Sequence, residues 1–383
     1  MTSDSDLREL RKFVAPEFIF GAGARHLAGR YAKNLGARKV MVVTDPGVIA
    51  AGWAGQVMED LKREGIPCVV FSGVSPNPRD TEVMEGARVY RAENCNAIVT
   101  VGGGSPMDCA KGIGIVSSNN NDILAFAGVD EVPVPCPPLI CVPTTAGTSA
   151  DVSQFAIITD TRRRVKIAIV SKMVVPDAAL IDPETTATMD AYLTACTGMD
   201  ALVHAIEAYV SNAHSPVTDL HAMEAVRLVS SNLADVIRRP LDIDLRCRLM
   251  LGSMLAGLAF SNASLGAVHA MAHSLGGFLD FAHGEANAML LSHVMAYNFE
   301  ASPDRYAAIG RAMGVDKGDA ESVSSAAARL REAVGITGTL GEKGLKRKDI
   351  PELAAKAMRD ACMVTNPRRP AQRDIEAIYE KAF

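Results

Sequence analysis

The sequence predicts an α/β domain with a Rossmann-like parallel sheet, followed by an all-α domain. The length of 383 residues exceeds what one ordinary hydrophobic core supports. Short strand-like and helix-like segments alternate up to about residue 185, which is typical of βαβ units with helices on both faces of a sheet. Beyond Pro183 the apolar residues recur at helical spacing. We therefore predict domains at residues 1–185 and 186–383.

In the first domain, each predicted strand is a short apolar run that ends in turn-forming residues. The predicted strands are residues 39–44, 68–71, 97–101 and 139–142, with further extended pieces at 154–158, 165–170 and 179–181. Helical segments separate the earlier strands, over residues 51–64, 81–93 and 106–116. This order predicts parallel strands joined by helical crossovers.

The second domain contains long helical stretches rich in Ala, Leu and Met. They cover residues 191–211, 217–237, 244–260 and 267–275, and the more charged region 303–383 is also predicted to be helical. Residues 249–279 form a run of 31 without Asp, Glu, Lys or Arg. Its length would suit a membrane span, but its Ser, Asn and His residues favour two packed helices in a core.

Composition limits the partners and the compartment. Hydrophobic residues make up 48% and charged residues 22%, which is typical of a globular protein. A net charge of −5 argues against nucleic acid as the main partner. Residues 1–8 lack the basic start and apolar core of a secretory signal, and the eight cysteines form no CxxC pair. We expect a cytoplasmic protein without membrane or nucleic-acid partners.

A glycine-rich turn, Gly102-Gly103-Gly104-Ser105, separates a predicted strand from a helix in which Pro106 suits the first turn. Glycines let backbone amides approach a phosphate at a helix N-terminus. This is not GxGxxG, and alone it fits a plain tight turn equally well. A second polar turn follows at residues 143–149. Two such turns at strand carboxyl ends are where an open parallel sheet binds its ligand.

Asp45 lies at the end of another predicted strand. There it could accept hydrogen bonds from a ribose diol, and its charge would favour NAD over NADP by repelling the extra phosphate. The alternative is that Asp45 only begins the turn Asp45-Pro46-Gly47.

Histidines cluster in the second domain. Asp200 and His204 are four apart and share a helix face, as do His269 and His273, and His283 follows. No glutamate follows His269, so this is not the HExxH motif. One such histidine is most simply a hydrogen-bonded core residue, but several buried imidazoles need something to offset their desolvation. A divalent cation would do so. A carboxylate with several imidazoles suits Fe(II), Zn, Mn or Co, and these ligand types do not discriminate among the four metals.

At this point the sequence resembles the iron-containing (group III) alcohol dehydrogenases, over nearly the whole chain from Phe18 to Arg368. The resemblance is carried by Gly102-Gly103-Gly104-Ser105-Pro106-x-Asp108, Pro143-Thr144-Thr145-Ala146-Gly147-Thr148, Gly198-x-Asp200-Ala201-Leu202-x-His204-Ala205-x-Glu207-Ala208-Tyr209, His269-Ala270-x-Ala272-His273 and His283-Gly284-x-x-Asn287-Ala288. It implies the dehydroquinate synthase-like fold of that family, with a nucleotide-binding domain and a metal-binding domain.

The resemblance also implies roles for individual residues. The metal ligands would be Asp200, His204, His269 and His283, holding Fe(II) or alternatively Zn(II), and His273 would be the active-site histidine. The implied NAD contacts are Asp45, Asn77, Gly103, Gly104, Ser105, Asp108, Thr144, Thr145, Thr148 and Lys166. The implied activity is NAD(P)-dependent oxidoreduction of small primary alcohols or aldehydes by a homodimer or larger homo-oligomer.

One departure keeps an alternative open. The chain reads Ser149-Ala150-Asp151 where the family usually has Gly-Ser-Glu, beside the expected cofactor contacts. Nucleotide affinity or substrate shape would change there, whereas the metal ligands are unaffected. The alternative is a regulatory or binding paralogue with weak or no activity. Dehydroquinate-synthase-like and glycerol-dehydrogenase-like proteins share the two-domain layout, but one aspartate with three histidines favours the iron-type group.

Overall fold

A computed structural model describes residues 10–383, which divide into one unit at residues 14–188 and another at 189–383 together with 10–13. The sequence boundary was expected after residue 185. Residues 1–8, on which the expectation of no secretory signal depends, lie outside the described residues. The prediction of an α/β unit with a parallel sheet and a helical unit is confirmed.

The α/β unit is built on a six-stranded parallel sheet. Its described strands are β1 (Glu17–Phe20), β2 (Val40–Val43), β3 (Cys68–Phe71), β4 (Ala97–Gly102), β5 (Gly128–Val129), β6 (Leu139–Pro143), β7 (Phe155–Asp160), β8 (Val165–Val170) and β9 (Ala178–Ile181). The large sheet has the order β3-β2-β4-β6-β9-β1, with every neighbouring pair parallel. Strands β5, β8 and β7 form a separate small sheet, in which β7 and β8 are antiparallel.

Helices cover both faces of the large sheet, because its strands are apolar on both sides. The helices of this unit are α1 (Ala28–Asn34), α2 (Pro46–Ala50), α3 (Trp53–Arg63), α4 (Asp80–Ala92) and α5 (Gly104–Asn119). Alternate residues of β2 show the two faces: Met41 packs in the core formed with α4 and α5, whereas Val42 packs with α1 and α3. Such strands read as continuous apolar runs, which is why the sequence revealed them.

The short elements β1, β5, α1 and α2 were absent from the sequence prediction. Strand β1 is half exposed, and β5 has only two residues, so neither presents a buried apolar run. Helix α1 contains Gly29, whose missing Cβ would lie 2.3 Å from the carbonyl oxygen of Asp60. Gly29 therefore allows α1 to pack closely against α3. Because glycine has a low helix propensity, the sequence did not predict this helix.

The second unit consists of helices throughout its described length. They are α6 (Ala191–Val210), α7 (Pro216–Arg238), α8 (Ile243–Ala263), α9 (Ala267–Leu279), α10 (His283–Asn298), α11 (Pro303–Ala312), α12 (Ala320–Ala333), α13 (Ile350–Ala357) and α14 (Gln372–Ala382). The uncharged run forms most of α8 and α9, which are two helices, as predicted. Within residues 10–383, no single helix has the length and hydropathy of a membrane span; α8 and α9 meet that test only together, across a 97° bend.

Candidate active site

Helix α6 carries three polar residues on one buried face. The side chain of Asp190 caps its N-terminus by accepting a 2.7 Å hydrogen bond from the backbone N–H of Leu193. Asp200, His204 and Glu207 follow at intervals of four and three residues, so they lie along one side of the helix. All three are buried.

Helix α9 carries His269 and His273, and its N-terminus is capped by distant side chains. The preceding residue, Gly266, has no side chain to act as a cap. Glu207 Oε1 instead accepts from Val268 N at 2.7 Å, and Asn366 Oδ1 accepts from Ala267 N at 3.1 Å. A Cβ on Gly266 would lie 2.9 Å from each of these oxygens. Glycine therefore lets both caps reach the helix, which attaches α9 to α6.

Helix α10 begins at His283 and approaches α6 closely. A Cβ on Gly284 would lie 2.4 Å from the carbonyl oxygen of Cys196, so only glycine permits this approach without a shift. The approach brings His283 to the face of α6 that holds Asp200. Asn287, one turn further along α10, faces the same point.

Ligand-type atoms of Asp200, His269 and His283 converge within 4.8 Å of one another. Asp200 Oδ1 is 3.6 Å from His269 Nε2 and 3.7 Å from His283 Nε2. Ligand atoms bound to one ion at about 2.1 Å in a tetrahedron are roughly 3.4 Å apart. The three residues therefore have the spacing and the ligand chemistry of a transition-metal site.

The contacts of Asn287 show that protein atoms alone do not meet all the hydrogen-bonding needs of Asp200, His269 and His283. Its Nδ2 lies 2.6 Å from Asp200 Oδ1 and 3.2 Å from the Nε2 atoms of both His269 and His283. An amide nitrogen has two hydrogens for these three neighbours. The Oδ1 atom of Asn287 is buried without a hydrogen-bond partner among residues 10–383. A cation suits such a site, because three electron-pair donors already point at one place.

The structure places the fourth predicted ligand, His204, beside this group rather than within it. The imidazole of His204 stacks on that of His269, with ring centroids 4.5 Å apart, and on the ring of Phe260 at 4.3 Å. The role of His204 as a ligand stays a prediction.

The charges of the group favour a cation. Burial alone would raise the pKa of Asp200, but the imidazoles of His204, His283 and His269 hold it well below its usual range. Burial likewise opposes charge on His269, yet its bonds to Asp200 and Glu207 raise its pKa to about 9. Positive charge on His269 is therefore stabilised between Asp200 and Glu207.

His273 lies next to the ligand group and has a carboxylate partner of its own. Its Nδ1 is 2.9 Å from Asp360 Oδ2, and its ring stacks on that of His283 at 5.4 Å between centroids. The other oxygen of Asp360 accepts from Cys362 N at 2.8 Å. Although burial raises it, the pKa of Asp360 falls to about 2 because His273 stabilises its charge.

Sequence reasoning assigned no role to Glu207, Asn287 or Asp360. Glu207 and Asn287 could have been found, because they follow Asp200 and His283 on the same helix faces, seven and four residues later. Asp360 lies 87 residues from His273, and no local spacing links the two.

In the α/β unit, the two predicted polar turns lie against each other at the carboxyl ends of β4 and β6. Helix α5 begins at Gly104, and Thr144 N donates to the carbonyl of Gly102 at 2.9 Å. A Cβ on Gly103 would lie 3.0 Å from Thr145 Cγ2, and one on Gly104 would lie 2.9 Å from Thr148 Cγ2. The glycines therefore allow the two turns to pack together, and Ser105 follows in the first turn of α5.

Buried hydroxyls without partners mark the same edge of the sheet. The Oγ1 atoms of Thr44, Thr100 and Thr145 have no hydrogen-bond partner within the described residues. These threonines lie at or near the carboxyl ends of the neighbouring strands β2, β4 and β6. Unpaired buried hydroxyls are costly, so this edge suits a polar ligand. A dinucleotide fits, because the glycine turn beside them opens a helix at which a phosphate can bind.

Asp45 caps α2, since its Oδ1 accepts from Val48 N at 2.9 Å. This bond gives Asp45 a local role at the start of α2. Its contact with a ribose stays a prediction. Lys166 Nζ donates to Asn77 Oδ1 at 2.8 Å, which brings two further predicted cofactor residues together. Asp108 is another predicted cofactor residue. Burial raises its pKa to about 6, although the positive charges of Lys111 and Lys166 lower it.

The departure at residues 149–151 has two physical consequences. Ser149 has a φ of +51°, in the left-handed region that glycine adopts most easily. Asp151 is buried, and burial raises its pKa to about 6, although Lys111 lowers it. The residues of the metal-type group belong to α6, α9 and α10 of the helical unit, so this departure does not change their identity.

Comparisons with known proteins cover both units of the chain. Residues 15–183 match the family model described as iron-containing alcohol dehydrogenase, and residues 194–383 match its C-terminal counterpart. The 1,3-propanediol dehydrogenase of Citrobacter freundii is 43% identical over 95% of this chain and 96% of its own length. The NAD-dependent methanol dehydrogenase of Bacillus methanolicus is 37% identical over 97% and 99%. A crystal structure of 1,3-propanediol oxidoreductase aligns with a TM-score of 0.95 at 41% identity, covering 98% of this chain and 100% of that one.

Proposed function

We propose that this chain, which belongs to the iron-containing alcohol dehydrogenase family, is a metal-dependent, NAD-linked alcohol dehydrogenase. It interconverts small primary alcohols and aldehydes by hydride transfer. The observation that carries the proposal is the convergence of Asp200, His269 and His283 on one point that protein atoms leave incompletely satisfied.

The two units would divide the chemistry. Residues 186–383 would hold the divalent metal, Fe(II) or alternatively Zn(II), through Asp200, His269 and His283, with His204 as the fourth proposed ligand. When bound, the metal supplies Lewis acidity to the oxygen of the alcohol or aldehyde. The α/β domain would hold NAD, the hydride carrier, at the glycine turn and the neighbouring threonines. The NAD dependence printed for the Bacillus methanolicus relative supports this choice of nucleotide.

Proton transfer is assigned to His273. Because the carboxylate of Asp360 only accepts hydrogen bonds, it favours a proton on Nδ1 of His273 and leaves Nε2 with its lone pair. Nε2 takes up the hydroxyl proton during alcohol oxidation and returns it during aldehyde reduction. Burial of His273 and Asp360 limits competing contact with water.

An absorbance assay for NADH with a panel of short alcohols and aldehydes tests this function. The Fe(II)-loaded protein is expected to turn over members of the panel, and the metal-stripped protein is expected to be inactive. Full activity without metal would contradict the metal-dependent mechanism. If the protein binds both metal and NAD but leaves the whole panel unchanged, the regulatory or binding paralogue is correct instead.

We also propose a cytoplasmic homodimer or larger homo-oligomer with neither membrane nor nucleic-acid partners. All eight cysteines are free, which suits a reducing compartment. Strand β1 is an edge strand of the large sheet with Phe18 40% exposed, and such an edge suits pairing between copies. Analytical ultracentrifugation tests the assembly, and a monomer at micromolar concentration would contradict it.

A further inference from the structure

We propose that Glu207 is the positioning residue of the metal site: it orients His269 and thereby sets the metal affinity of the helical unit. This inference rests on the proposed function only in that the site binds a metal. Glu207 is not one of the three converging residues, and it acts through His269.

The carboxylate of Glu207 uses its two oxygens for two different groups on α9. Oε2 is 2.7 Å from His269 Nδ1, and Oε1 accepts from Val268 N at 2.7 Å. The side chains of Glu207 and His269 are only 4% and 1% exposed, so water does not compete for these bonds. A carboxylate at such a distance accepts a hydrogen bond from the N–H group at Nδ1. The hydrogen of neutral His269 is therefore held on Nδ1, and Nε2 presents its lone pair.

The other ring nitrogen of His269, Nε2, faces the point where the ligand atoms of Asp200, His269 and His283 converge. His269 Nε2 is 3.6 Å from Asp200 Oδ1, on the side of the ring opposite Glu207. Metal-ligating histidines generally need such a partner, because it selects the tautomer and fixes the plane of the ring. Glu207 thus determines which nitrogen is offered to the metal and in which direction.

Glu207 also links this orientation to the start of the helix. It projects from α6, the helix that carries Asp200, and it binds α9 at the residue before His269. A rotation of α9 would break the bonds to Val268 N and to His269 Nδ1 together. The ring orientation is therefore set by two neighbouring bonds to a single rigid group.

Asn366 provides the matched comparison. It caps the adjacent amide, Ala267 N, but forms no bond to His269. If Glu207 only capped α9, loss of either cap would affect metal binding in the same way. If Glu207 orients His269, the two losses have different consequences.

The experiment compares Glu207→Gln with Asn366→Ala in metal-stripped full-length protein titrated with Zn(II) against a competing chelator. With its oxygen on Val268 N, the Gln side chain presents its NH2 group to Nδ1 and favours the tautomer with hydrogen on Nε2. We expect the Zn(II) dissociation constant of Glu207→Gln to rise about 10- to 100-fold. Asn366→Ala is expected to lower the melting temperature while its dissociation constant stays within about threefold of the wild type.

Equal affinity of wild type and Glu207→Gln, or equal losses in both variants, would overturn the positioning role. If Glu207→Gln does not fold, Glu207→Asp replaces it. Aspartate keeps the charge but is one methylene too short to reach both groups, so a rise of about fivefold or more is expected and wild-type affinity would overturn the proposal. Failure of the wild type itself to bind Zn(II) or Fe(II) would instead contradict the proposed function.

Discussion

The candidate metal site and the candidate nucleotide site, which lies at the carboxyl ends of β2, β4 and β6, are built in opposite ways. In the helical unit, functional side chains are held by other side chains: Glu207 holds His269, and Asp360 holds His273. At the edge of the large sheet, the backbone forms the site, and glycines let the turns approach while threonine hydroxyls lie without partners in the described structure.

The difference follows from the ligands that the two sites suit. A small ion requires a few donor atoms at fixed separations, which rigid side-chain networks supply. A dinucleotide spreads its charge over a long surface, which backbone amides and hydroxyls can follow. Substitutions that remove side-chain atoms should therefore weaken the metal site most. Substitutions that add a side chain to a glycine should weaken the nucleotide site most.

The largest effect is expected from His283→Ala. Loss of this ligand removes a metal that contributes several kcal/mol to the transition state, so kcat/KM should fall roughly 1,000-fold or more. Elemental analysis should show metal loss, while NAD binding measured by NADH fluorescence should remain. Metal retained at the wild-type stoichiometry would contradict the assignment of His283.

The second prediction concerns the pH dependence of stability and starts from the pKa values of two buried aspartates. The pKa of Asp200 is held low by imidazoles, whereas burial raises that of Asp151 to about 6 from an ordinary value of 3.8. Between about pH 4 and pH 6 the folded protein retains a proton on Asp151 that the unfolded chain has lost, so the free energy of unfolding falls as the pH rises. Two pKa units correspond to about 3 kcal/mol.

Asp151→Asn should remove that decline, because asparagine does not ionise. We expect urea unfolding at pH 8 to show a variant more stable than the wild type by up to about 3 kcal/mol, with little difference near pH 4. A variant destabilised at pH 8 would show that the charge of Asp151 is needed by the fold.

Asp360→Asn is expected to lower kcat about 100-fold with metal content unchanged. The amide can donate to Nδ1 of His273 and favour the wrong tautomer, which removes the contribution of general acid–base catalysis. The control is Thr365→Val, which removes a hydrogen bond to the carbonyl of Leu265 in the same segment without touching His273. Equal kcat values for Asp360→Asn and the wild type would remove Asp360 from the proton pathway.

Gly104→Ala tests the second site by adding one methyl group. Its Cβ would lie 2.9 Å from Thr148 Cγ2, and the displaced turn should weaken NAD binding about tenfold. The double variant with Thr148→Ser lacks that Cγ2 and should recover part of the affinity. Zn(II) affinity should not change, and a parallel loss of metal would show that the two sites are not independent.

Ser149→Gly should produce the smallest effect. Relief of the left-handed conformation at a φ of +51° is expected to stabilise the protein by about 1 kcal/mol. Thermal unfolding measures this, with Ser149→Ala as the control that keeps a Cβ. A gain shared by both variants would mean that the Ser149 hydroxyl, rather than the backbone, causes the strain.

The sequence predicted the parts of the molecule that local pattern determines. Strands β3 and β8 appeared with their observed bounds, because each is a short, mostly apolar run bounded by turn-forming residues. Asp200, His269 and His283 were identified through helical spacing together with the family resemblance, and the structure brings them together.

The remainder depends on contacts between distant segments. Asp360 meets His273 only because the C-terminal part of the chain folds against α9. The cap that Asp45 forms on α2 is local, but the sequence did not reveal it because the helix is too short to leave a periodic pattern. No single-sequence pattern specifies that Gly266 leaves space for two oxygens from elsewhere in the chain.

The N-terminus of α9 is capped by side chains from distant parts of the chain, which affects when the helix can complete its structure during synthesis. The helix that presents two histidines is completed by Glu207, made about 60 residues earlier, and by Asn366, made about 100 residues later. A nascent chain that has not yet emerged to Asn366 lacks one cap, and one shorter than residue 360 lacks the partner of His273 as well. We therefore expect the finished histidine geometry only after Asn366 has emerged from the ribosome. Metal uptake would then report that the chain has been made at least to that residue.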